Sequence, residues 1–307
     1  MAGYLFRRIL ITIPVIFAIT TLVFLMRALV PGDPVQLMFF GQMSSPAVMD
    51  AMREELGLND PLPVQYVHYL GDLARGDLGM SVTTRKPVIE EISSRFPATL
   101  QLAVSSLVVS SIVGLVAGIL AAVHKDSMID TLAMVISTVG ISMPAFWLGL
   151  LMIYVFSVQL GWFSVIPTQS FKSLILPALT LGLIAASIVA RLVRSAMLEV
   201  LGQDFVRTAR AKGVIERRVL MRHALGNAMI PVVTIIGLQF GGLLSGAFII
   251  EAIFAWHGIG ELAVKALGRR DFPLIQGIVL VTAVTYVLVN LVVDLLYAVI
   301  DPRIQYQ

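Results

Sequence analysis

Residues 131–171, TLAMVISTVGISMPAFWLGLLMIYVFSVQLGWFSVIPTQSF, run for 41 positions without one Asp, Glu, Lys or Arg. A helix needs about 20 mostly apolar residues to cross about 30 Å of hydrocarbon, so this stretch belongs in a bilayer rather than a soluble core. Its length admits two short spans. Gly161 and Pro167, however, bracket a polar, aromatic piece, Trp162 to Ser170, that has the chemistry of a surface turn, and the stretch reads as one span followed by a loop. Working outward, five further charge-free runs emerge at 9–26, 96–124, 173–190, 223–250 and 272–293. The composition agrees: 58% of the 307 residues are hydrophobic and 13% charged, against about 45–50% and 25% in soluble domains. The expected fold is an all-α polytopic membrane protein with six transmembrane helices. Pro14, Pro144 and Pro177 fall inside or at the start of these runs, where membrane helices tolerate them.

Basic residues in short loops stay in the cytoplasm. Arg7 and Arg8 therefore place the N-terminus inside, and the loop from Arg191 to His223, with eight basic and three acidic residues, is inside as well. Six spans return the C-terminus to the cytoplasm. The first run is too long for a signal-peptide core and lacks a small-x-small cleavage site, so it reads as an uncleaved helix. The chain divides into residues 1–30, the tail and first span; 31–97, a periplasmic helical cap; and 98–307, a five-helix core that includes the cytoplasmic loop 195–226. The cap is expected to hold three short amphipathic helices. One starts at Ser45-Pro46 and ends before Gly57, a second runs from near Pro63 to Gly76, and a third begins at Pro87.

Several chemistries are absent. With no Cys there is no disulfide framework or thiolate site. His68, His124, His223 and His257 lie far apart, without metal-motif spacing. No nucleophile elbow or Walker A loop occurs, and a membrane enzyme has no catalytic constellation to stand on. The net charge of +3 is too small to indicate nucleic acid. The spans hold almost no ionisable groups of the kind an ion-coupled carrier uses. A self-sufficient secondary transporter remains the alternative; a chain that moves solutes on this pattern otherwise takes its energy from a partner.

In the basic loop, Asp204-Phe-Val-Arg-Thr-Ala-Arg-Ala-Lys-Gly-Val214, a helix ended by Gly213 would set Phe205, Ala209 and Lys212 on one face, suited to a groove in a soluble partner. The other reading is that the basic charges enforce topology and touch anionic lipid. Arg207-Thr-Ala-Arg-Ala-Lys-Gly213 and Arg222-His-Ala-Leu-Gly-Asn-Ala-Met-Ile-Pro231 resemble the signature loop of ABC importer permeases of the dipeptide, oligopeptide, nickel and glutathione group. Pro31-Gly-Asp-Pro34, Leu56-Gly-Leu-Asn-Asp-Pro61, Gly76-Asp-Leu-Gly-Met-Ser81 and Asp294-Leu-Leu-Tyr-Ala-Val-Ile-Asp-Pro302 match the same group in the same order, so the likeness covers essentially the whole chain. Leu160-Gly-Trp162 points to its glutathione and dipeptide members.

The resemblance implies a permease subunit in a bacterial inner membrane, forming half of a path for short peptides. It implies four kinds of partner: a second homologous permease, two ATP-binding subunits that carry ATP and Mg, a periplasmic solute-binding protein, and lipid. The chain itself is then no enzyme and holds no cofactor. Phe205, Arg207, Thr208, Ala209, Arg210, Lys212, Gly213 and Val214 would form the ATPase-coupling loop, a lever carrying ATPase closure to the spans. Ala209 and Gly213 match the superfamily pattern Glu-Ala-Ala-x-x-x-Gly. Arg207 and Thr208 stand where Glu and the first Ala are expected, so no role of that Glu is carried over.

Asn290 lies one turn before Asp294 on the same helical face. The pair reads either as a polar path lining or, with Asp294 at the inner headgroups, as a structural site where Asp294 meets Arg191 or Arg194. Gly237-x-x-x-Gly241 and Gly242-x-x-x-Gly246 permit close helix approach, within the subunit or across a dimer. Glu251, Trp256, Glu261 and Lys265, before the last span, are candidate contacts for the solute-binding protein.

Overall fold

The computed structural model describes residues 2–29, 35, 45–55, 57–164 and 170–300. Residues 31–34, Leu56, Pro167, residues 301–307 and the side chain of Asp294 lie outside the described set. The described chain is helical, with one isolated bridge between Met80 and Pro87. The helices are α1 (Ala2–Leu29), α2 (Pro46–Glu55), α3 (Leu62–Ala74), α4 (Val88–Val123), α5 (Met128–Ser142), α6 (Ala145–Met152), α7 (Phe171–Leu201), α8 (Asp204–Ala211), α9 (Leu225–Ile253), α10 (Ile259–Gly268) and α11 (Phe272–Ile300). Wider π-helical turns extend α6 over Ile153–Gln159 and lead into α9 over Val219–Ala224.

By length and apolar composition, α4, α7, α9 and α11 can each cross a membrane alone, and α5 with α6 makes a fifth crossing if the bent pair is one span. The apolar part of α1, Leu10–Met26, is shorter.

The centre of the bundle is the crossing of α4 and α7, and glycine makes it possible. A Cβ on Gly118 would lie 2.6 Å from the Ala190 carbonyl oxygen and from Val193 Cβ. One on Gly114 would lie 2.5 Å from Val189 Cβ, and one on Gly182 of α7 would lie 2.8 Å from the Ser106 carbonyl oxygen. The two backbones meet at separations that no larger residue permits, which is how helices without a hydrophobic drive between them gain dispersion contact. Around this crossing the buried side chains form three tiers. One, at the end holding α8, contains Val193, Met197, Val200, Val206 and Val219. A central tier contains Leu102, Leu181, Leu243 and Ile250. The third, at the cap end, contains Val88, Ile92, Ile259, Leu262 and Ile278. Gly237 and Gly241 face Val293 and Tyr286 of α11, and Gly246 faces Leu181, so this small-residue stripe serves packing within the subunit.

Two expectations are corrected. The long charge-free stretch is not one helix: α5 and α6 meet at 108°. The break falls at Met143-Pro144, with Met143 extended at φ −82°, ψ 126°. Proline offers no N–H and crowds the residue before it out of the α region; apolar composition carries no trace of that. The cap's third helix is also not separate. Val88 begins a continuous 36-residue helix that passes through Pro97 to Val123, with Glu90 and Glu91 favourably placed in its first turn. The first two cap helices stand where expected, each followed by a glycine at positive φ: Gly57 at +62° and Gly76 at +80°.

Side chains fasten the cap end. The buried carboxylate of Asp271 accepts from Ser81 Oγ at 2.6 Å and from the Val82 and Thr83 amides at 3.1 and 3.0 Å, holding the segment after Gly76-Asp-Leu-Gly-Met-Ser81 onto the α10–α11 turn. The N-terminus of α10 is capped from other helices. The Ile259 amide donates to Thr99 Oγ1 at 2.8 Å and the Gly260 amide to Glu251 Oε2 at 2.6 Å. α1 packs beside α11, with Gln276 donating to the Val23 carbonyl at 3.2 Å, and Thr21 Oγ1 lies 2.6 Å from the Tyr66 hydroxyl of α3.

Gly118→Val is expected to abolish the α4–α7 contact, because the added carbons meet backbone that cannot yield. Gly242→Ala, where a Cβ meets nothing within 4 Å, is expected to be neutral. Yield of monodisperse protein and thermal unfolding in detergent should separate the two variants; equal behaviour would contradict the role given to the crossing.

Candidate functional site

The basic loop folds as the spacing predicts. Asp204 sits in the first turn of α8, favourable at the positive end of the helix dipole. The Gly213 amide donates to the Arg210 carbonyl at 2.9 Å and the Val214 amide to the Ala209 carbonyl at 3.2 Å, with Gly213 at φ +75°. This is a Schellman stop, and the left-handed residue costs about 1–2 kcal/mol for anything bearing a Cβ. Arg210 then closes the loop with a two-pronged bond to Glu216, Nη2 to Oε1 at 2.6 Å and Nε to Oε2 at 3.1 Å. That bond holds the Glu216 carboxyl below the usual carboxylate range.

Burial divides the expected face. Val206, fully buried, and Ala209, 8% exposed, point inward among Val200, Val219 and Ala224. Phe205, 40% exposed, lies one turn from Ala209 at the edge of that seat, and Thr208 and Lys212 are exposed. Ala209 is therefore a seat on this chain's own core, with Phe205 and Lys212 at its exposed edge. Three-residue spacing from Val206 to Ala209 signals the seat; the sequence alone did not say which side the core occupies. Ile215 and Met221, 65% and 59% exposed, extend the apolar surface beyond α8. Val214 packs against the same inner tier, and Arg207 lies 3.6 Å from Asp204 on the exposed side.

Of the polar group expected at the inner ends of the spans, Arg194 has a described partner. Arg194 binds Asp130, with Nε to Oδ1 at 2.5 Å and Nη2 to Oδ2 at 2.7 Å. Its described partner is the carboxylate at the start of α5, a helix start set by Ser127 at the N-cap; the expected pairing with Asp294 lies outside the described residues. Arg191 is exposed. Asn290 reaches the neighbourhood of Gly241, whose Cβ position lies 3.6 Å from its Oδ1. The pairing with Asp130 spans 64 residues of sequence, and nothing local announces it.

At the cap end, Glu251 and Glu261 are not free surface groups. Glu251 is fully buried at the α10 N-terminus, and Glu261, 6% exposed, accepts from Arg95 at 3.2 Å, Lys265 at 2.6 Å and His257 at 3.3 Å. Trp256 gives its indole N–H to the Ala98 carbonyl at 2.9 Å. Among the described residues no group of three or more His, Cys, Asp or Glu is arranged to hold a metal ion.

Arg194→Ala should lower thermal stability in detergent more than Arg191→Ala, because only the former strands a buried carboxylate. Equal effects would remove the Arg194–Asp130 pair from the account.

The comparisons with known proteins agree with this geometry. The family of binding-protein-dependent transport system inner membrane components matches residues 114–306, and its N-terminal companion matches residues 1–103. Glutathione transport system permease proteins GsiC from Escherichia coli O6:H1 and Escherichia coli K12 are 47% and 46% identical over all 307 residues, covering the whole of both chains. Among solved structures, an amino acid ABC transporter described "with histidines" aligns with TM-score 0.53 at 17% identity, covering 70% of this chain and 94% of that one. The inward-facing MetNI methionine ABC transporter aligns with TM-score 0.55 at 21% identity, covering 66% and 93%. At such identities these two likenesses concern the fold. A helical bundle of apolar spans, a Gly-stopped helix seated at one end of it, and family matches along nearly the whole length lead to one conclusion: the chain belongs to the binding-protein-dependent transport system inner membrane components, the multi-pass permease subunits of ABC importers.

Proposed function

We propose that this permease subunit forms half of a path for short peptides, glutathione among them, delivered by a periplasmic solute-binding protein. It pairs with a second homologous permease, and two ATP-binding subunits carry ATP, magnesium and the hydrolysis. The full-length identity to permeases named for glutathione transport carries the substrate reading. We read the arrangement as six spans with both termini in the cytoplasm, the bent α5–α6 pair counting as one and α1 as the first. Arg7, Arg8 and the basic loop support that orientation through the retention of basic residues.

Coupling follows from the seat of α8. Val206 and Ala209 bind it to α7 and to the turn entering α9, while Phe205, Thr208 and Lys212 remain for the ATPase, so a push on the outer face moves both helices. The ion-coupled alternative finds no support. The buried carboxylates Asp130, Glu251, Glu261 and Asp271 stand at helix ends, each engaged by the groups named above.

An anchor of this kind loses about 2 kcal/mol or more on truncation, equivalent to about thirtyfold in affinity. Phe205→Ala and Lys212→Glu should therefore reduce copurification of the ATP-binding subunits and ATP-dependent glutathione uptake in proteoliposomes while leaving thermal stability intact. Val206→Asp should instead lower stability. Full uptake by the purified chain alone under an ion gradient would overturn the reading.

A further inference from the structure

At the cap end, a cleft of about 580 Å³ opens between the first turns of α4, the start of α7 and the residues that follow α9. This volume is within the range of about 300–1,000 Å³ typical of small-molecule sites. Ser94, Arg95 and Gln101 line one side, Phe171 and Trp256 the apolar walls, and His257 the rim. Three features of the lining are built rather than incidental. Arg95 is held by one Nη1 bond to the buried Glu261 at 3.2 Å and keeps 30% of its side chain exposed. Trp256 is fixed by its bond to Ala98, so the aromatic surface has a set orientation. Glu261 is shared with Lys265 as well as Arg95, so one carboxylate faces two permanent cations and does not fully occupy the Arg95 guanidinium.

We propose that this cleft is a receiving site in the permease for the terminal carboxylate of a short peptide, with Arg95 as the carboxylate partner, Gln101 as a hydrogen-bonding group and Trp256 and Phe171 as apolar walls. The proposal rests on reading the chain as a short-peptide permease. A guanidinium is suited to it because its planar fork matches a carboxylate. Pre-orientation by Glu261 reduces the ordering that binding requires. The concave shape and flanking aromatics favour a small solute over an acidic side chain of a docked protein, which would need only the rim.

The test uses the complete transporter in nanodiscs without its binding protein. Tritiated S-methylglutathione is the probe, and S-methylglutathione and its diethyl ester are the competitors. The acid should bind saturably and the ester should compete poorly. Arg95→Gln should weaken binding about tenfold or more, as loss of a charge-assisted bond predicts, and Arg95→Lys should restore part of it. Gln101→Leu, which leaves the Arg95–Glu261 pair intact, should weaken binding as well, with thermal unfolding as the check on folding. No binding of the acid by the wild type, equal competition by the ester, or wild-type affinity in both Arg95→Gln and Gln101→Leu would overturn the proposal. So would an Arg95→Gln transporter that binds the acid normally but has lost ATPase stimulation by the binding protein, since the cleft would then be a docking surface. ATP-dependent uptake by the wild type with its binding protein scores the peptide-permease reading separately: uptake without cleft binding rejects the site alone, and absence of uptake rejects the reading beneath it.

Discussion

The close crossing of α4 and α7 is the constraint on which the other positions depend. Gly114 and Gly118 on one helix and Gly182 on the other remove the side chains that would hold the backbones apart. α9 then packs across both helices, α5 lies along α7, and α10 fills the space left at the cap end. In lipid such packing is the main source of helix association, because apolar side chains gain little by leaving lipid for protein. The crossing also makes one body of two functional ends. Thr99, at the cap end of α4, supports α10; Val200, at the other end of α7, supports α8.

The four buried carboxylates share a logic. Asp130, Glu251, Glu261 and Asp271 each stand at a helix terminus; Asp130, Glu261 and Asp271 are matched to amides or cations from distant parts of the chain, and Glu251 to the Gly260 amide nine residues on, through Oε2 with Oε1 left unbonded. Burial of a charge is tolerable only when hydrogen bonds replace the water it loses, and at Asp130, Glu261 and Asp271 the replacements come from elements that the charge thereby fixes in place. Asp271 holds the cap hairpin; Glu251 holds the start of α10; Asp130 holds α5 to α7.

Much of this was legible in the sequence. Charge-free runs located the apolar helices, and glycines at the ends of periodic segments marked the stops of α2, α3 and α8, because a left-handed residue leaves a local signature. The unread parts depend on distance. Gly114, Gly118 and Gly182 are unremarkable in apolar runs until the opposite backbone is in view. The bend at Pro144 sits in a stretch whose hydropathy is uniform on both sides. The Ser81–Asp271 bond joins residues 190 apart, and a span-end carboxylate such as Asp130 does not name its arginine. How far the core reaches onto α8 was unread for the same reason: Ala209 is small enough to be covered or bare, and only the position of Val219 and Ala224 decides.

On the function proposed above, α8 is a lever held by its own subunit on one face and gripped by an ATPase on the other. The chain has no native cysteine, so single cysteines can be placed at Lys212 on the outer face and at Val206 on the inner one, and crosslinked within the assembled transporter. The account predicts that the cysteine at position 212 crosslinks to an ATP-binding subunit with a yield that changes on ATP binding, while the one at 206 does not. Crosslinking from 206 and none from 212, or none from either in an actively transporting complex, would contradict it.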